Sequence, residues 1–297
     1  MSDPASKLES VAVIGAGTMG HGIAQVAAMG GLRTVIYDED VDALERSLQR
    51  IVDNLDKGVA KGKLTEADVE RTRGNLEVTD ELEEAAGRAD VVIEAVPERI
   101  DLKLALFSRL DGAAPGHAIL ATNTSSLSIT EIAAATRRPE QVIGMHFFNP
   151  VHIMKLVEVV RGLETRADVV ETTTELARRM AKEVVVVNEA PGFVTSRVNA
   201  LIGNEAFEML ETGVASAEDI DRALKLGLNH PMGPFELVDL VGLDVRLGVL
   251  SYLHQTLGEK YRPSPLLVKY VKAGRLGKKV GRGVYTYGPD GQRVESR

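Results

Sequence analysis

The stretch that decides the fold runs from Val11 to Asp38 and reads Val-Ala-Val-Ile-Gly-Ala-Gly-Thr-Met-Gly-His-Gly-Ile-Ala-Gln-Val-Ala-Ala-Met-Gly-Gly-Leu-Arg-Thr-Val-Ile-Tyr-Asp. It begins with an apolar run typical of a buried strand, passes through a glycine turn into an apolar helix, and ends with a second strand. The turn contains Gly15, Gly17 and Gly20 in the spacing G-x-G-x-x-G. This spacing alone is weak and occurs in other α/β turns, but between a strand and a helix it predicts a dinucleotide-binding unit.

Each glycine of the turn has its own expected role. Gly15 permits a tight turn, Gly17 leaves room for a pyrophosphate beside the backbone, and Gly20 lets the helix approach the sheet closely. The first backbone N–H groups of the helix then face the phosphates. Thr18 and Met19 lie in the same turn, so we expect them to line the cofactor site as well.

Asp38 follows the second strand and predicts which dinucleotide binds. It lies near the usual distance, about 20 residues from the turn, of the acid that binds a ribose 2′-hydroxyl. A carboxylate accepts hydrogen bonds from that hydroxyl and repels a 2′-phosphate. Glu39 and Asp40 follow in the sequence with no arginine beside them. NAD is therefore expected as the cofactor rather than NADP.

Composition restricts the kinds of protein that the chain can be. Its 297 residues, 44% of them apolar, allow one large or two medium domains with a substantial core. The formal net charge of −8 gives no electrostatic footprint for nucleic acid. The absence of cysteine excludes disulfides and a cysteine nucleophile, and we expect no metal site. Residues 1–10 do not resemble a signal peptide and no apolar run is long enough for a membrane, so a cytoplasmic protein with no membrane partner is expected.

The order of the predicted elements indicates two domains. Strands and helices alternate as far as residue 187, which predicts a Rossmann-like, doubly wound and mostly parallel sheet. Residues 188–192 contain a Pro-Gly pair, and after them the strand patterns largely stop. We therefore predict an NAD-binding domain over 1–189 and an all-helical domain over 190–297. Its predicted helices span residues 193–210, 216–226, 235–257 and 263–273.

Three unusual segments follow predicted strands at the point where each strand ends. They are 94–98 (Glu-Ala-Val-Pro-Glu), 122–126 (Thr-Asn-Thr-Ser-Ser) and 146–150 (His-Phe-Phe-Asn-Pro). Ligands of open α/β sheets bind at the carboxyl ends of the strands. These three segments are therefore the expected ligand-binding loops.

His146 is the best candidate among the six histidines for a group that exchanges a proton with a substrate. It lies at a predicted strand end, and the pKa of histidine is near neutral pH. Glu158 lies in the apolar run 155–160, where an ionised carboxylate needs a partner. If the two strands are neighbours, Glu158 can accept a hydrogen bond from the imidazole and fix its tautomer. Equally open is the alternative that Glu158 pairs with a lysine or arginine and His146 is only packed.

A short basic cluster, Lys57, Lys61 and Lys63, stands out in an otherwise acidic chain. The residues alone leave two interpretations open, a solvated turn between helices or a contact for a polyphosphate ligand. Of the two, the residues by themselves favour the solvated turn.

Motifs along nearly the whole chain resemble the short-chain L-3-hydroxyacyl-CoA dehydrogenases, in particular the bacterial 3-hydroxybutyryl-CoA dehydrogenases. The matching pieces are 13–20 (Val-Ile-Gly-Ala-Gly-Thr-Met-Gly), 123–127 (Asn-Thr-Ser-Ser-Leu), 146–150, 155–159 (Lys-Leu-Val-Glu-Val), 190–193 (Ala-Pro-Gly-Phe), 230–235 (His-Pro-Met-Gly-Pro-Phe) and 281–285 (Gly-Arg-Gly-Val-Tyr). The resemblance implies a Rossmann-like domain and a helical domain that forms a homodimer. It also implies reversible oxidation of a 3-hydroxyacyl-CoA thioester to the 3-ketoacyl-CoA with NAD.

The resemblance also implies roles for individual residues, matched by position. His146 matches the catalytic base, Glu158 the acid that orients it, and Ser125 the serine that hydrogen-bonds the substrate oxygen. The positions that match the nicotinamide side are Glu98, Lys103 and Asn123.

On the substrate side, Asn149 is an expected contact, and Lys57 and Lys61 fall where the family meets the CoA phosphates. The resemblance therefore favours the phosphate contact over the solvated turn for the lysine cluster.

One position departs from the family pattern. Where the family commonly has Val-Val-Asn-Arg, this chain has Val-Thr-Ser-Arg, with Ser196 in place of the asparagine that contacts the acyl group. Serine is shorter and offers fewer hydrogen bonds than a carboxamide. Asn199, one helical turn later, is a possible replacement.

Two other functions compete with this interpretation. Relatives of the fold oxidise sugar acids or hydroxy acids with NAD, without CoA. The chain can also be a structural or sensor protein that binds NAD without catalysis. The presence of His146, Glu158 and Ser125 together argues against this second alternative.

Overall fold

The computed structural model describes residues 8–294. The chain divides into two compact units between Ala190 and Pro191. This division lies one residue after the domain boundary expected from the Pro-Gly segment. Each unit is described by itself below.

The first unit is built on one sheet of eight strands. They are β1 (Ser10–Ile14), β2 (Arg33–Tyr37), β3 (Leu76–Thr79), β4 (Val91–Glu94), β5 (Ile119–Thr122), β6 (Val142–Phe147), β7 (Leu156–Arg161) and β8 (Glu183–Asn188). The strand order is β3-β2-β1-β4-β5-β6-β7-β8, and every neighbouring pair is parallel except β6 and β7. The order reverses direction beside β1, which confirms the predicted doubly wound, mostly parallel sheet.

Helices connect the strands of this unit. They are α1 (Gly20–Met29), α2 (Val41–Ala60), α3 (Glu66–Gly74), α4 (Leu82–Ala86), α5 (Ile100–Ala113), α6 (Ile129–Ala133) and α7 (Ala167–Arg179). The sequence pattern predicted no element in residues 64–89, so α3, β3 and α4 are additions. These three elements are short, and β3 buries no residue fully, so neither a helical nor a strand periodicity is visible in the sequence.

The core of this unit explains why its central strands are apolar runs. All residues of β1, β4 and β5 are buried. A strand covered by helices on both faces needs apolar side chains on both, so its sequence does not alternate. The buried acid Glu94 at the end of β4 is an exception to this rule.

The second unit is helical. It contains α8 (Thr195–Glu211), α9 (Ala217–Gly227), α10 (Pro234–Val241), α11 (Leu243–Leu257) and α12 (Pro265–Lys272). The single helix predicted over 235–257 is wrong, because two helices, α10 and α11, occupy that range. Gly242 separates them with φ +112°, a backbone angle that no helical residue adopts and that favours glycine.

Two buried aspartates hold the second unit together. Asp221 accepts the backbone N–H groups of Phe235 and Glu236 at the start of α10, at 2.8 and 3.1 Å. Asp239 accepts the backbone N–H groups of residues 284 and 285, at 2.7 and 2.8 Å. The Tyr285 hydroxyl donates to Asp221 at 2.8 Å. Hydrogen bonds to Asp221 and Asp239 therefore connect the motifs at 230–235 and 281–285 within this unit.

Between residues 8 and 294, the structure contains no helix that is both long enough and apolar enough to cross a membrane.

Candidate active site

The glycine turn between β1 and α1 has the geometry of a phosphate-binding loop. Gly15 has φ +107°, and a Cβ there would lie 2.8 Å from the Ala95 carbonyl oxygen. A Cβ on Gly20 would overlap the Gly15 carbonyl oxygen. No heavy atom lies within 4 Å of a Cβ built on Gly17, so the space beside this residue is open. The turn therefore leaves room for a diphosphate beside Gly17, while the other two glycines are required by close backbone contacts.

Asp38 lies at the end of β2, next to this turn. Its Oδ2 accepts the Ala16 backbone N–H at 2.8 Å, and its Oδ1 accepts the Asp40 backbone N–H at 3.1 Å. These bonds fix the carboxylate in a cavity of about 650 Å³. The cavity is lined by the turn, including Thr18 and Met19, and by the ends of β2 and β4. A dinucleotide with a free ribose 2′-hydroxyl fits this donor and acceptor set.

Arg109 is a wall residue of the same cavity that sequence reasoning missed. It lies on α5, far from Asp38 in the chain. Its guanidinium pairs with Glu83 at 3.2 Å. No linear sequence pattern links Arg109 to Asp38.

His146 and Glu158 face each other across the one antiparallel pair of the sheet. Residue 146 of β6 is the register partner of residue 158 of β7. Both side chains are buried, and Nδ1 of His146 lies 2.7 Å from Oε2 of Glu158. The sequence left two alternatives open for Glu158. The structure shows the first of them, in which the Glu158 carboxylate is hydrogen-bonded to the His146 imidazole. Such a bond fixes the tautomer with Nδ1 as the donor and stabilises an imidazolium.

The loop after β5 carries Asn123 and Ser125. Asn123 Oδ1 accepts the Phe147 backbone N–H at 2.9 Å, which ties this loop to the end of the strand that carries His146. Ser125 donates its backbone N–H to Glu98 Oε1 at 2.8 Å and its hydroxyl at 3.2 Å. The loop at 122–126 therefore contacts both of the other expected loops, 94–98 through Glu98 and 146–150 through Phe147. Asn149, in the third of these loops, is exposed.

Lys103 lies on α5, in contact with the loop that carries Glu98. Its side chain is buried, and Nζ lies 2.5 Å from Glu94 and 3.4 Å from Glu98. Thr124 donates its hydroxyl to Glu98 at 2.6 Å. Sequence reasoning did not assign roles to Glu94 and Thr124. Glu94 had the same signal as Glu158, an acid inside an apolar strand pattern.

The lysine cluster begins in the last turn of α2 and is exposed. Burial lowers the pKa of the nearby His152, and the charge of Lys57 is a smaller cause of the same shift. The exposed ammonium groups of the three lysines are available to an anion.

Ser196 lies in the second unit, in the first turn of α8. It is partly exposed, as is Asn199 one turn later. The neighbouring Arg197 is held by a hydrogen bond from its Nε to the Tyr261 hydroxyl at 2.8 Å.

A glycine turn with room for a diphosphate, an acid after the second strand and a buried His–Glu pair are together typical of a nicotinamide-dependent dehydrogenase. Two family models match the chain, the NAD-binding domain of 3-hydroxyacyl-CoA dehydrogenase over residues 10–190 and the C-terminal domain of the same enzyme over residues 192–287. The chain therefore belongs to the 3-hydroxyacyl-CoA dehydrogenase family.

Three known proteins illustrate the similarity. A probable 3-hydroxybutyryl-CoA dehydrogenase of Bacillus subtilis (strain 168) is 50% identical over 95% of this chain and 98% of its own. The 3-hydroxyadipyl-CoA dehydrogenase of Escherichia coli (strain K12) is 45% identical over 97% of this chain and 61% of its own. The crystal structure of (S)-3-hydroxybutyryl-CoA dehydrogenase from Ralstonia eutropha matches with a TM-score of 0.91 and 42% identity, over 95% of this chain and all of that one.

Family membership decides between the functions left open by the sequence. The chain is an oxidoreductase that acts on a CH–OH group with NAD, as predicted. It is assigned to the 3-hydroxyacyl-CoA enzymes rather than to the dehydrogenases of sugar acids or to non-catalytic NAD-binding proteins.

Proposed function

We propose that this protein catalyses the reversible oxidation of (S)-3-hydroxybutyryl-CoA to acetoacetyl-CoA, with NAD as the hydride acceptor. The observation that carries the proposal is the 2.7 Å contact between His146 Nδ1 and Glu158 at the carboxyl end of β6. A histidine held in this way is the base that the alcohol oxidation needs. The four-carbon acyl group is inferred from the names of the Bacillus and Ralstonia relatives.

In this mechanism His146 removes the proton of the 3-hydroxyl through Nε2. Glu158 keeps Nδ1 as a donor and stabilises the positive charge that develops on the ring. Ser125 holds the substrate oxygen while the C–O bond changes from single to double. NAD supplies an acceptor for the hydride that leaves C3. In the reverse direction His146 returns the proton to the oxygen.

The cofactor is held by the loop residues described above. Gly15, Gly17 and Gly20, with Thr18 and Met19, form the pyrophosphate side of the site. Asp38 receives the ribose hydroxyls. Asn123, Glu98 and Lys103 are assigned to the nicotinamide side by the family match, with Lys103 acting from a buried position.

The CoA end of the substrate is assigned to the basic surface around Lys57 and Lys61. These exposed lysines offer ammonium groups to the phosphates. At the acyl end, Asn149 and Ser196 are the proposed contacts. The E. coli relative is named for a six-carbon dicarboxylic acyl group, so Ser196 is the first residue to examine for chain-length preference.

We also infer a cytoplasmic homodimer that forms through the helical unit. That unit exposes large apolar side chains on its first, third and fourth helices, which a second copy would cover. These are Val198 on α8, Leu240 and Val241 on α10, and Val245 on α11.

The experiment that tests the proposed function is an assay of NADH consumption by the purified protein. Acetoacetyl-CoA is compared with free acetoacetate, and NADH is compared with NADPH. We expect rapid turnover with the thioester and NADH only. Turnover of the free acid at the same rate would contradict CoA recognition, and no turnover of the thioester would contradict the proposed reaction.

A further inference from the structure

Glu94 and Lys103 form a buried ion pair beside the loops used by the proposed reaction. Glu94 ends β4 with its side chain 0% exposed, Lys103 lies on α5 with 1% exposed, and 2.5 Å separates Nζ from Oε1. The Val96 backbone N–H donates to the same Oε1 at 2.7 Å, and the Thr122 hydroxyl donates to Oε2 at 2.6 Å. A buried ion pair is often no more stabilising than an apolar pair of similar size. Stabilisation of the fold therefore does not by itself explain why two charged side chains are buried at this position.

Lys103 also contacts a second carboxylate, that of the exposed residue Glu98. Nζ lies 3.4 Å from Glu98 Oε2. The other oxygen of Glu98 accepts hydrogen bonds from the Thr124 hydroxyl at 2.6 Å, the Ser125 N–H at 2.8 Å and the Ser125 hydroxyl at 3.2 Å. An unbroken series of polar contacts therefore leads from Glu94 through Lys103 and Glu98 to Ser125.

The charges along this series depend on one another. Burial raises the pKa of Glu94, and the ammonium of Lys103 opposes that rise by stabilising the carboxylate. If Glu94 lost its charge, Glu98 would be the one carboxylate left in contact with Lys103 among residues 8–294. The ammonium would then move toward Glu98, because an unpaired buried charge is unfavourable. Glu98 would then hold Ser125 differently.

We propose that Glu94 is a positioning residue for the dehydrogenase reaction, acting through Lys103 and Glu98 on the hydroxyl of Ser125. This inference rests on the proposed function, which gives Ser125 its contact with the substrate oxygen. Glu98 accepts the Ser125 backbone N–H at 2.8 Å and so sets where this residue lies, while the hydroxyl can turn from Glu98 to the substrate oxygen. Glu94 thus influences the position of Ser125 without touching it.

The test replaces Glu94 with the uncharged amide of the same shape, Glu94→Gln. We expect kcat with acetoacetyl-CoA and NADH to fall by roughly tenfold or more, since a charge-assisted contact is lost. The KM for acetoacetyl-CoA should change by less than about threefold, because no group that binds the CoA portion is altered. Glu94→Asp keeps the charge and should recover part of the lost kcat. The matched control is Glu131→Gln, an exposed acid on α6.

The pH profile separates positioning from a merely structural role. The charged groups in contact with Lys103, among the described residues, are Glu94 from β4 and Glu98 from the loop after it. Burial raises the pKa of Glu94, so its protonation should contribute to the acid limb of the wild-type kcat profile, and this contribution should be missing in Glu94→Gln. Glu94→Asp should keep the profile of the wild type.

A double variant tests whether Glu94 acts through Lys103. If it does, Glu94→Gln combined with Lys103→Met should be no slower than Lys103→Met alone. Multiplied losses in the double variant, or a Glu94→Gln protein with the kcat and pH profile of the wild type, would overturn the inference. If Glu94→Gln does not fold, multiplied losses when Glu94→Asp is combined with Lys103→Met would do the same. A wild type that does not reduce acetoacetyl-CoA would instead overturn the proposed function.

Discussion

At the scale of single residues, two acids inside apolar strands mark the candidate site. Glu94 ends β4 and Glu158 lies in β7, and both are buried. An ionised carboxylate is unfavourable there unless a partner neutralises it. The partner of Glu158 is His146, and the partner of Glu94 is Lys103. The sequence predicts that such partners exist, but their identity depends on which strands and helices become neighbours.

Cofactor selectivity is the first property that single residues should control. Asp38→Ala should weaken NADH binding by roughly tenfold, because a hydrogen-bonding anion is removed. It should also allow NADPH to react, since Arg109 in the same cavity wall can then meet a 2′-phosphate. Steady-state rates with both cofactors measure this. In the Asp38→Ala/Arg109→Ala protein the NADPH activity should disappear again, and equal NADPH rates in both variants would contradict the role of Arg109.

Lys182 should make stability depend on pH. Its buried ammonium donates to the carbonyl oxygens of Val151 and Met154, and burial lowers its pKa to about 8. In the unfolded chain lysine keeps its proton up to a pKa of about 10.4. Between these values the unfolded state holds more protons, so the contribution of Lys182 to stability rises as pH rises. Below pH 8 this group destabilises the fold relative to a neutral side chain.

Urea unfolding of the wild type and of Lys182→Met measures this effect. The difference in unfolding free energy between the two should shift in favour of the wild type by on the order of 2 kcal/mol from pH 8 to pH 10.5. Parallel pH curves for the two proteins would contradict it.

At the scale of elements, the β1–turn–α1 unit is the part that local sequence predicts best. The reason is that Gly15 and Gly20 are required by contacts with nearby backbone, while Gly17 leaves the space beside the turn open. Other boundaries depend on distant contacts: Gly242 separates α10 from α11, although the apolar pattern of 235–257 continues through it. The apolar pattern indicates which face of a helix is buried, but it does not indicate a change in the direction of the backbone. Short polar elements such as β3 are stabilised by neighbouring elements and leave little local signal.

The glycine turn allows a matched pair of variants. Gly15→Ala should lower the unfolding free energy by about 1–3 kcal/mol, because alanine is strained at φ +107° and its Cβ would meet the Ala95 carbonyl oxygen. Gly17→Ala should change stability by less than about 0.5 kcal/mol, since its Cβ meets no atom. Only the second variant is expected to fold normally and yet bind NADH weakly.

Thermal unfolding without cofactor and fluorescence titration with NADH separate these effects. Equal loss of stability in the two variants, or normal NADH binding by Gly17→Ala, would show that the two glycines do not divide the roles in this way.

At the scale of the whole molecule, the two units have different tasks in the proposed enzyme. The sheet unit carries the glycine turn and the His146–Glu158 pair. The helical unit exposes apolar side chains that the proposed dimer would bury. Within the sheet unit, the glycine motif was predicted from sequence, and the His146–Glu158 pair was one of two alternatives that the residues left open and the one that the resemblance implied. Arg109 and the buried position of Lys103 needed the packing of α5 on the sheet.

The proposed dimer can be tested with two equivalent substitutions. Val245 on α11 of the helical unit is 47% exposed, and Val185 on β8 of the sheet unit is 46% exposed. Val245→Asp should raise the monomer fraction in light scattering at micromolar concentration, because a charge would be buried in the interface. Val185→Asp should leave a dimer. A wild type that is monomeric, or equal effects of both variants, would contradict an interface on the helical unit.

The central claim, that His146 works as a base oriented by Glu158, is tested most directly by the rate of hydride transfer in Glu158→Gln. The amide keeps the shape but can donate to Nδ1 and favour the wrong tautomer. Stopped-flow decay of NADH mixed with acetoacetyl-CoA should slow by at least about a hundredfold. NADH affinity and the rate of Glu171→Gln, an exposed acid on α7, should stay unchanged. A wild-type rate of hydride transfer in Glu158→Gln would contradict the account.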